Sequence, residues 1–411
     1  MNKKFKETEI GWIPEEWDLK SLGDLSEIKG GKRLTKGHTL VEYKTNHPYI
    51  RVTDLIDFGV NTDDILYLRE ETFEKIRNYT INSNDVYISI VGTVGLVGLI
   101  PKKLNGANLT ENCAKITNIN EIKKEFLAFF LKSRFGQEQI KMLTVGSTQG
   151  KLALSRIKKI KIPIPPLEEQ IEICNLLYSL TNKIEINQKI NQTLEEIGQA
   201  IFKQLVVHFE FPNNEGKPYK SNGGEMVDSE LGKIPKSWEV VKVGDLIELV
   251  YGKGLTKTNR IPGEIPVYGS NGITDYHNES FVKGPGLIIG RKGTVGKIHI
   301  SYSNFWPIDT TYFVKSKIDS IMIFWYYLLT SLNLENMNVH SAVPGLNRND
   351  VYEILVVKPE EKILFDIEIL LKSLFDKINQ NKIENQNLKD IRDSLLPKLM
   401  SGKIRVPLED K

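Results

Sequence analysis

Two clusters of basic residues flank glycines and recur along the chain. Lys29, Lys32, Arg33 and Lys36 surround Gly30-Gly31, and Lys253, Lys257 and Arg260 surround Gly252 and Gly254. Glycines at such turns let a phosphate approach the backbone while lysine and arginine neutralise it. An ordinary solvated loop makes the same pattern. Arg291-Lys292 stand just before a Gly293-Thr294-Val295-Gly296 turn, where an arginine suits bidentate contact with a guanine edge. The matching turn at 92–95 follows Ile90-Val91 instead, as different half-sites on one framework would require. Thr93 and Thr294 in the turns, with Gln149, Lys151 and Arg348 in the segments that follow, complete a candidate set for contacting DNA.

This chemistry is recognition rather than bond-making. The chain has no Asn-Pro-Pro-Tyr or Asp-Pro-Pro-Tyr motif and no GxxxxGK[ST] loop, and its 6 histidines have no metal-ligand spacing. His299 lies in a strand-like run, as a core or edge residue rather than a base. Gly284-Pro285-Gly286 with Gly290 lacks dinucleotide spacing and opens no helix, so it reads as a turn. Asp24 and Asp245 each follow a glycine and precede an apolar residue, as a turn or helix cap would. The 2 cysteines, Cys113 and Cys174, are read as core thiols.

The chain that must position these residues has 411 of them, 40% hydrophobic, enough for two cores and connectors. The absence of an apolar run long enough to span a bilayer and of a signal-like start leads us to expect a soluble, cytoplasmic protein with no membrane partner. A net charge of +3 permits nucleic-acid binding without arguing for it, so the case rests on the local clusters.

The organising feature is duplication. Residues 7–36 and 228–257 share Ile-Pro, Trp, Gly-Asp-Leu, Gly-Lys and Leu-Thr-Lys, so that Trp17 matches Trp238 and Asp24 matches Asp245. Each block then has a strand-like middle (85–91 and 286–289), its GTVG turn, and a helical segment (121–134 and 319–332). A second turn (145–150 and 341–345) and a short strand-like approach through Ile157 or Val351 to a proline follow. Each block ends in a long amphipathic helix, 163–205 or 359–399. Ile173 recurs as Ile367, Leu177 as Leu371, Ile184 as Ile378, Asn187 as Asn381, Asn191 as Asn385, Leu194 as Leu388 and Ile197 as Ile391. Polar, Gly/Pro-rich residues from 208 read as a linker.

Block, helix, block, helix requires the second helix to return along the first, burying the two apolar stripes against each other. Antiparallel pairing creates a pseudo-twofold centre near Ile186 and Gln380, and 39 helical residues reach roughly 58 Å at about 1.5 Å each. Duplex DNA has the same local twofold symmetry, so two related blocks suit a split site. At the centre the stripe gives way to asparagines, either a solvated face or buried amides that fix register. The expected packing set is Leu177, Ile184, Asn187, Asn191, Leu194, Leu371, Ile378, Asn381, Asn385 and Leu388.

The IPxxW opening with GDL, the GTVG turn, PxPPLEEQ before a long helix and the closing Leu395-Leu396-Pro397-Lys398-Leu399-Met400-Ser401-Gly402-Lys403-Ile404 together resemble the specificity (S, HsdS) subunit of type I restriction-modification enzymes. The resemblance covers nearly the whole chain in order; its one departure is the missing basic residue before the first GTVG turn, so no base contact is carried over there. It implies a mixed α/β (α+β) fold. Two target recognition domains (1–165 and 228–359) are joined by two antiparallel spacer helices (166–207 and 360–402) forming a coiled coil, with a linker at 208–227 and a tail at 403–411. It also implies double-stranded DNA, two methyltransferase (M) subunits and restriction (R) subunits as partners. The chain itself is expected to be non-catalytic and to bind no cofactor, with S-adenosylmethionine, ATP and magnesium belonging to the partners. Two other readings stand beside it: a coiled-coil adaptor that binds proteins, and a single-chain nuclease or methyltransferase.

Overall fold

The computed structural model describes residues 4–56, 58–146, 150–319, 321–338 and 345–407. The chain divides into two compact units, residues 1–184 with 386–411, and residues 185–385. Both long helices, Leu167–Phe202 and Glu361–Met400, run from one unit into the other.

In the first unit a hairpin of Phe5–Thr8 and Gly11–Pro14 leads to the strand Asp18–Ser21, which pairs antiparallel with Lys161–Ile164 just before the first long helix. A four-stranded antiparallel sheet runs in the order Val97–Leu99, Val86–Ser89, Cys113–Thr117, Glu27–Gly30. All of Val86–Ser89 is buried because each sheet face is covered. Side chains alternate across a strand, so Val86 and Ile88 join the helix-covered core while Tyr87 joins the core of a second sheet. That second sheet contains a parallel pair, Pro48–Ile50 with Ala107–Leu109. Phe126, Leu127 and Phe130 of the helix Lys124–Lys132 fill the first core together with Ile173, Cys174 and Leu177 of one long helix and Leu396, Leu399 and Met400 of the other. Cys113 and Cys174 are both buried thiols, as expected.

The second unit repeats this plan. Its sheet runs Ile247–Tyr251, Thr311–Ser316, Gly286–Gly290, Ile298–Ser301, the same order read from the opposite edge. A parallel pair again backs it, Ile265–Gly269 with Trp306–Pro307. Trp325 and Tyr327 of the helix Met322–Ser331 pack with Phe202, Leu364, Ile367 and Leu371. Both GTVG turns have positive φ at each glycine, 77° and 92° in the first and 81° and 75° in the second, a conformation that favours glycine.

Four sequence expectations need correction. The approach to each long helix is not a strand throughout: it begins with a short helix, Leu154–Ile157 or Arg348–Tyr352, the latter started by the Asn347 side chain accepting from Asn349 N at 3.0 Å. The segment 208–227 is packed over 211–219, because Phe211 stacks on Trp238 at 4.8 Å and Tyr219 stacks on Phe211 at 4.6 Å. Gly31 and Gly252 serve internal packing rather than phosphate approach: a Cβ there would lie 2.0 Å from the Thr110 carbonyl oxygen or 2.2 Å from that of Ile308. The amide centre is displaced as well. Asn187 donates to Asn385 Oδ1 at 2.9 Å and Asn381 donates to Asn191 Oδ1 at 2.8 Å, which centres the antiparallel register on Lys189 and Ile383 rather than on Ile186 and Gln380.

The other packing positions fall as follows. Leu177, Ile184, Leu371 and Ile378 are buried, Leu194 and Leu388 are half-buried, and Asn187, Asn381 and Asn385 are buried with Asn191 half-buried. Asp24 and Asp245 cap: their carboxylates accept the backbone N–H of Ser21 and Lys242, at 3.3 and 3.2 Å.

Candidate nucleic-acid interface

In the first unit the strand Glu27–Gly30 ends in the basic loop. Lys32 and Lys36 are exposed, the Lys32 ammonium lying 5.5 Å from the Tyr79 ring centre. Arg33 is exposed but tied to Glu111. Burial opposes ionisation of Glu111, yet the bonds from Arg33 and Thr110 outweigh it and hold the carboxyl below its usual range. Lys29 pairs with Glu27 at 2.6 Å. Thr93 is exposed at the tip of its turn, where its carbonyl accepts the Ser89 hydroxyl at 2.5 Å. Lys151 is exposed on a backbone bridge to Val145. Gln149 lies outside the described residues.

The second unit draws its candidates together more closely. The strand Ile247–Tyr251 delivers Tyr251, 45% exposed, to the surface beside the buried Tyr312, its register partner. The Arg291 guanidinium lies 4.9 Å from the Tyr251 ring centre and 6.0 Å from that of Tyr312, and donates to the Asp309 carbonyl at 3.0 Å. Arg348 lies 5.0 Å from Tyr251. Burial and the bond with Tyr251 push the Tyr312 hydroxyl up to about 12, against the pull of both arginines. Lys253 sits 5.6 Å from the Phe281 ring centre and 5.5 Å from that of Trp306, whose indole N–H donates to the Lys253 carbonyl at 2.8 Å. Lys257 and Lys292 are exposed, and half-buried Thr294 donates its backbone N–H to Ser270 Oγ at 3.4 Å.

Arg260 differs from its neighbours. Its side chain is only 8% exposed, paired with Asp275 at 3.0 Å and bonded to the Leu255 carbonyl at 3.2 Å, so its guanidinium braces the loop. No motif in the sequence marks Tyr251, Tyr312, Phe281 or Trp306. The one local signal was Tyr251 standing where the first repeat has Gly30. His299 is half-buried in the strand Ile298–Ser301, with Nε2 3.0 Å from the Ser270 carbonyl, and burial lowers its pKa. Among the described residues no group of three His, Cys, Asp or Glu side chains is placed to hold a metal ion, and no helix is long and apolar enough to cross a membrane.

Two repeated mixed α/β units bearing cationic loops, joined by long paired helices, define the class. Residues 14–196 and 235–391 match the type I restriction modification DNA specificity domain, and the chain belongs to that family. It is 27% identical to the type I restriction enzyme MjaIX specificity subunit of Methanocaldococcus jannaschii, over 98% of this chain and 97% of the relative. It is 24% identical to the HindI specificity subunit of Haemophilus influenzae, over 70% and 79%. The fold is also that of the crystal structure of the type I restriction-modification S subunit from M. genitalium, with a TM-score of 0.57 at 20% identity over 97% of this chain and 99% of that one.

Proposed function

We propose that this chain is the DNA-reading subunit of a type I restriction-modification system. It recognises a bipartite, asymmetric duplex site with one block per half-site, and it scaffolds two methyltransferase subunits and, in the full complex, restriction subunits. The observation that carries this reading is the duplication itself: two units with one strand order and one turn geometry, whose equivalent surface positions carry different chemistry. Such a pair suits two unlike half-sites. The contact set is Lys32, Arg33, Lys36, Thr93, Gln149 and Lys151 in the first block, and Lys253, Lys257, Arg291, Lys292, Thr294 and Arg348 in the second. Arg260 acts by holding the loop that carries Lys253 and Lys257. Exposed isoleucines at equivalent helix positions, Ile197 at 42% and Ile391 at 48%, offer apolar surface to the methyltransferase partners.

Chemistry belongs to the partners in this reading. The chain alone is expected to modify nothing. Together with its methyltransferase it gives adenine methylation at a split motif, with S-adenosylmethionine bound by the partner and ATP and magnesium used by the restriction subunits. Methylome sequencing of cells with and without the chain tests this, and methyl transfer by the isolated chain refutes it. Exchanging residues 1–165 for the matching block of a relative is expected to change one half of the methylated motif. Change in both halves removes the one-block, one-half-site assignment.

A further inference from the structure

Three positions at one surface of the second unit and the buried tyrosine packed against them are aromatic or cationic, and their four structural equivalents in the first unit are small or aliphatic. The backbone fixes the equivalences. Arg291 N donates to the Thr310 carbonyl and Leu346 N donates to the Arg291 carbonyl, each at 2.9 Å; Ile90 N donates to the Asn112 carbonyl at 2.8 Å and Leu152 N donates to the Ile90 carbonyl at 3.0 Å. Ile90 and Arg291 therefore occupy one site. Tyr251 pairs with Tyr312 across the ladder where Gly30 pairs with Ala114. Arg348 and Leu154 each begin the short helix that follows. A Cβ on Gly30 would lie 3.6 Å from Leu154 Cδ1, so the two positions adjoin in the first unit as Tyr251 and Arg348 do in the second. Gly30, Ala114, Ile90 and Leu154 thus stand where the second unit has Tyr251, Tyr312, Arg291 and Arg348.

Resting on the proposed function, we infer that Tyr251, Arg291 and Arg348 form a guanine-reading clamp of the second block, and that the first block reads its half-site without a charged group at this place. Two guanidiniums lie at one half-exposed ring, 4.9 and 5.0 Å from its centre. Among the described residues no carboxylate pairs with either. Acceptors from a ligand can therefore pair with both. Each guanidinium lies over the phenol ring; one N–H of Arg291 is fixed on the Asp309 carbonyl at 3.0 Å, and among the described residues neither guanidinium makes a further hydrogen bond, so the remaining donors keep their planar fork. A planar fork matches the O6 and N7 acceptors of guanine in the major groove. Holding it in advance lowers the entropy lost on binding. Aliphatic Ile90 and Leu154 can make only apolar contact, as with a thymine methyl.

The test uses the chain assembled with its methyltransferase partner and duplexes carrying the wild-type motif, or that motif with single base-pair changes in the second half-site. Arg291→Lys and Arg348→Lys keep the charge and lose the fork. Each is expected to weaken binding to the wild-type motif about 5- to 150-fold, to leave unrelated duplex binding within about twofold, and to relax one position of the second half in the methylated motif. The set Tyr251→Gly, Tyr312→Ala, Arg291→Ile and Arg348→Leu copies a packing that the first unit already uses. It is expected to fold and to lose second-half specificity while the first half is retained. If the lysine variants behave as wild type, or if alanine variants weaken all duplexes alike with a salt slope smaller by about 1, the arginines hold phosphate and the clamp is wrong. If the wild-type complex shows no salt-dependent duplex binding, the proposed function itself fails.

Discussion

Glu169 is 1% exposed and carries three hydrogen bonds: the Trp17 indole N–H at 3.0 Å, and two from Arg405, of which the Nη2 bond is 2.7 Å. Arg405 also reaches Glu16, where its hydrogen bond is the leading cause of a carboxyl held below its ordinary value. Its guanidinium covers the Trp17 ring at 5.8 Å. The tail that follows the second helix thus seals the opening of the first block. Removing one partner of a buried pair strands a charge, and that costs far more than the pair adds over an apolar replacement. Arg405→Ala is expected to destabilise the first unit by about 3–5 kcal/mol, read as a lower denaturant midpoint, with Glu169→Gln/Arg405→Ala recovering much of the loss. An unchanged midpoint for Arg405→Ala refutes the sealing role. The matching position in the second unit is Phe211, which covers Trp238 by stacking, so one framework position seals with charge in one unit and with an aromatic ring in the other.

At the scale of elements, each long helix ties down, near its own beginning, the start of a shorter helix. Gln170, 1% exposed, accepts the Lys123 backbone N–H at 2.8 Å beside the helix Lys124–Lys132. Glu368 accepts those of Ile323 and Phe324, at 3.1 and 2.6 Å, at the start of Met322–Ser331. The Met322–Ser331 helix has no side-chain cap of its own, so its first N–H groups depend on this reach from the long helix. Burial raises the Glu368 carboxyl above its ordinary 4.5, although the two N–H bonds pull the other way. An acid with a raised folded pKa binds its proton more tightly folded than unfolded, so its contribution favours folding below the ordinary value and is lost as pH rises through the folded one. The stability of wild type minus that of Glu368→Gln is therefore expected to fall as pH rises from 4.5 and then level off; a difference independent of pH contradicts the assignment. Glu368→Ala, which leaves both N–H groups buried and unpaired, is expected to cost about 1–3 kcal/mol for each.

For the whole molecule the paired asparagines matter most. Asn187, 1% exposed, also donates to Glu384 at 2.8 Å, and Asn191 donates to the Ile378 carbonyl at 3.4 Å. An apolar stripe alone tolerates a slip of one helix along the other; buried amides must find partners, and only one register supplies them. Because both helices run through both units, register also enters the spacing of the half-sites in the proposed function. Four residues inserted after Asn187 and four after Asn381, roughly 6 Å of helix, are expected to lengthen the unread gap of the methylated motif by about one or two base pairs at about 3.4 Å each, with both half-sites intact. A gap of unchanged length shows that the helices do not set it. Leucine at Asn187 and Asn385 together is expected to keep or raise thermal stability while admitting motifs with more than one gap length.

The sequence by itself determined the duplication, the two long helices, the glycine turns, the capping aspartates and the presence of central asparagines, because each is written in local spacing that secondary structure reads directly. Burial of Cys174, Leu177 and Leu371 followed from helical periodicity alone. Tertiary structure decided the rest. Arg260 was indistinguishable from Lys257 in the sequence until the fold brought Asp275 to it, and Gly31 looked like a phosphate turn until the Thr110 carbonyl was placed 2.0 Å from where its Cβ would be. Tyr251, Arg291 and Arg348 are far apart in the chain, and no periodicity joins them. Their meeting depends on sheet register and on where a short helix begins, which are properties of packing between distant segments rather than of any one stretch.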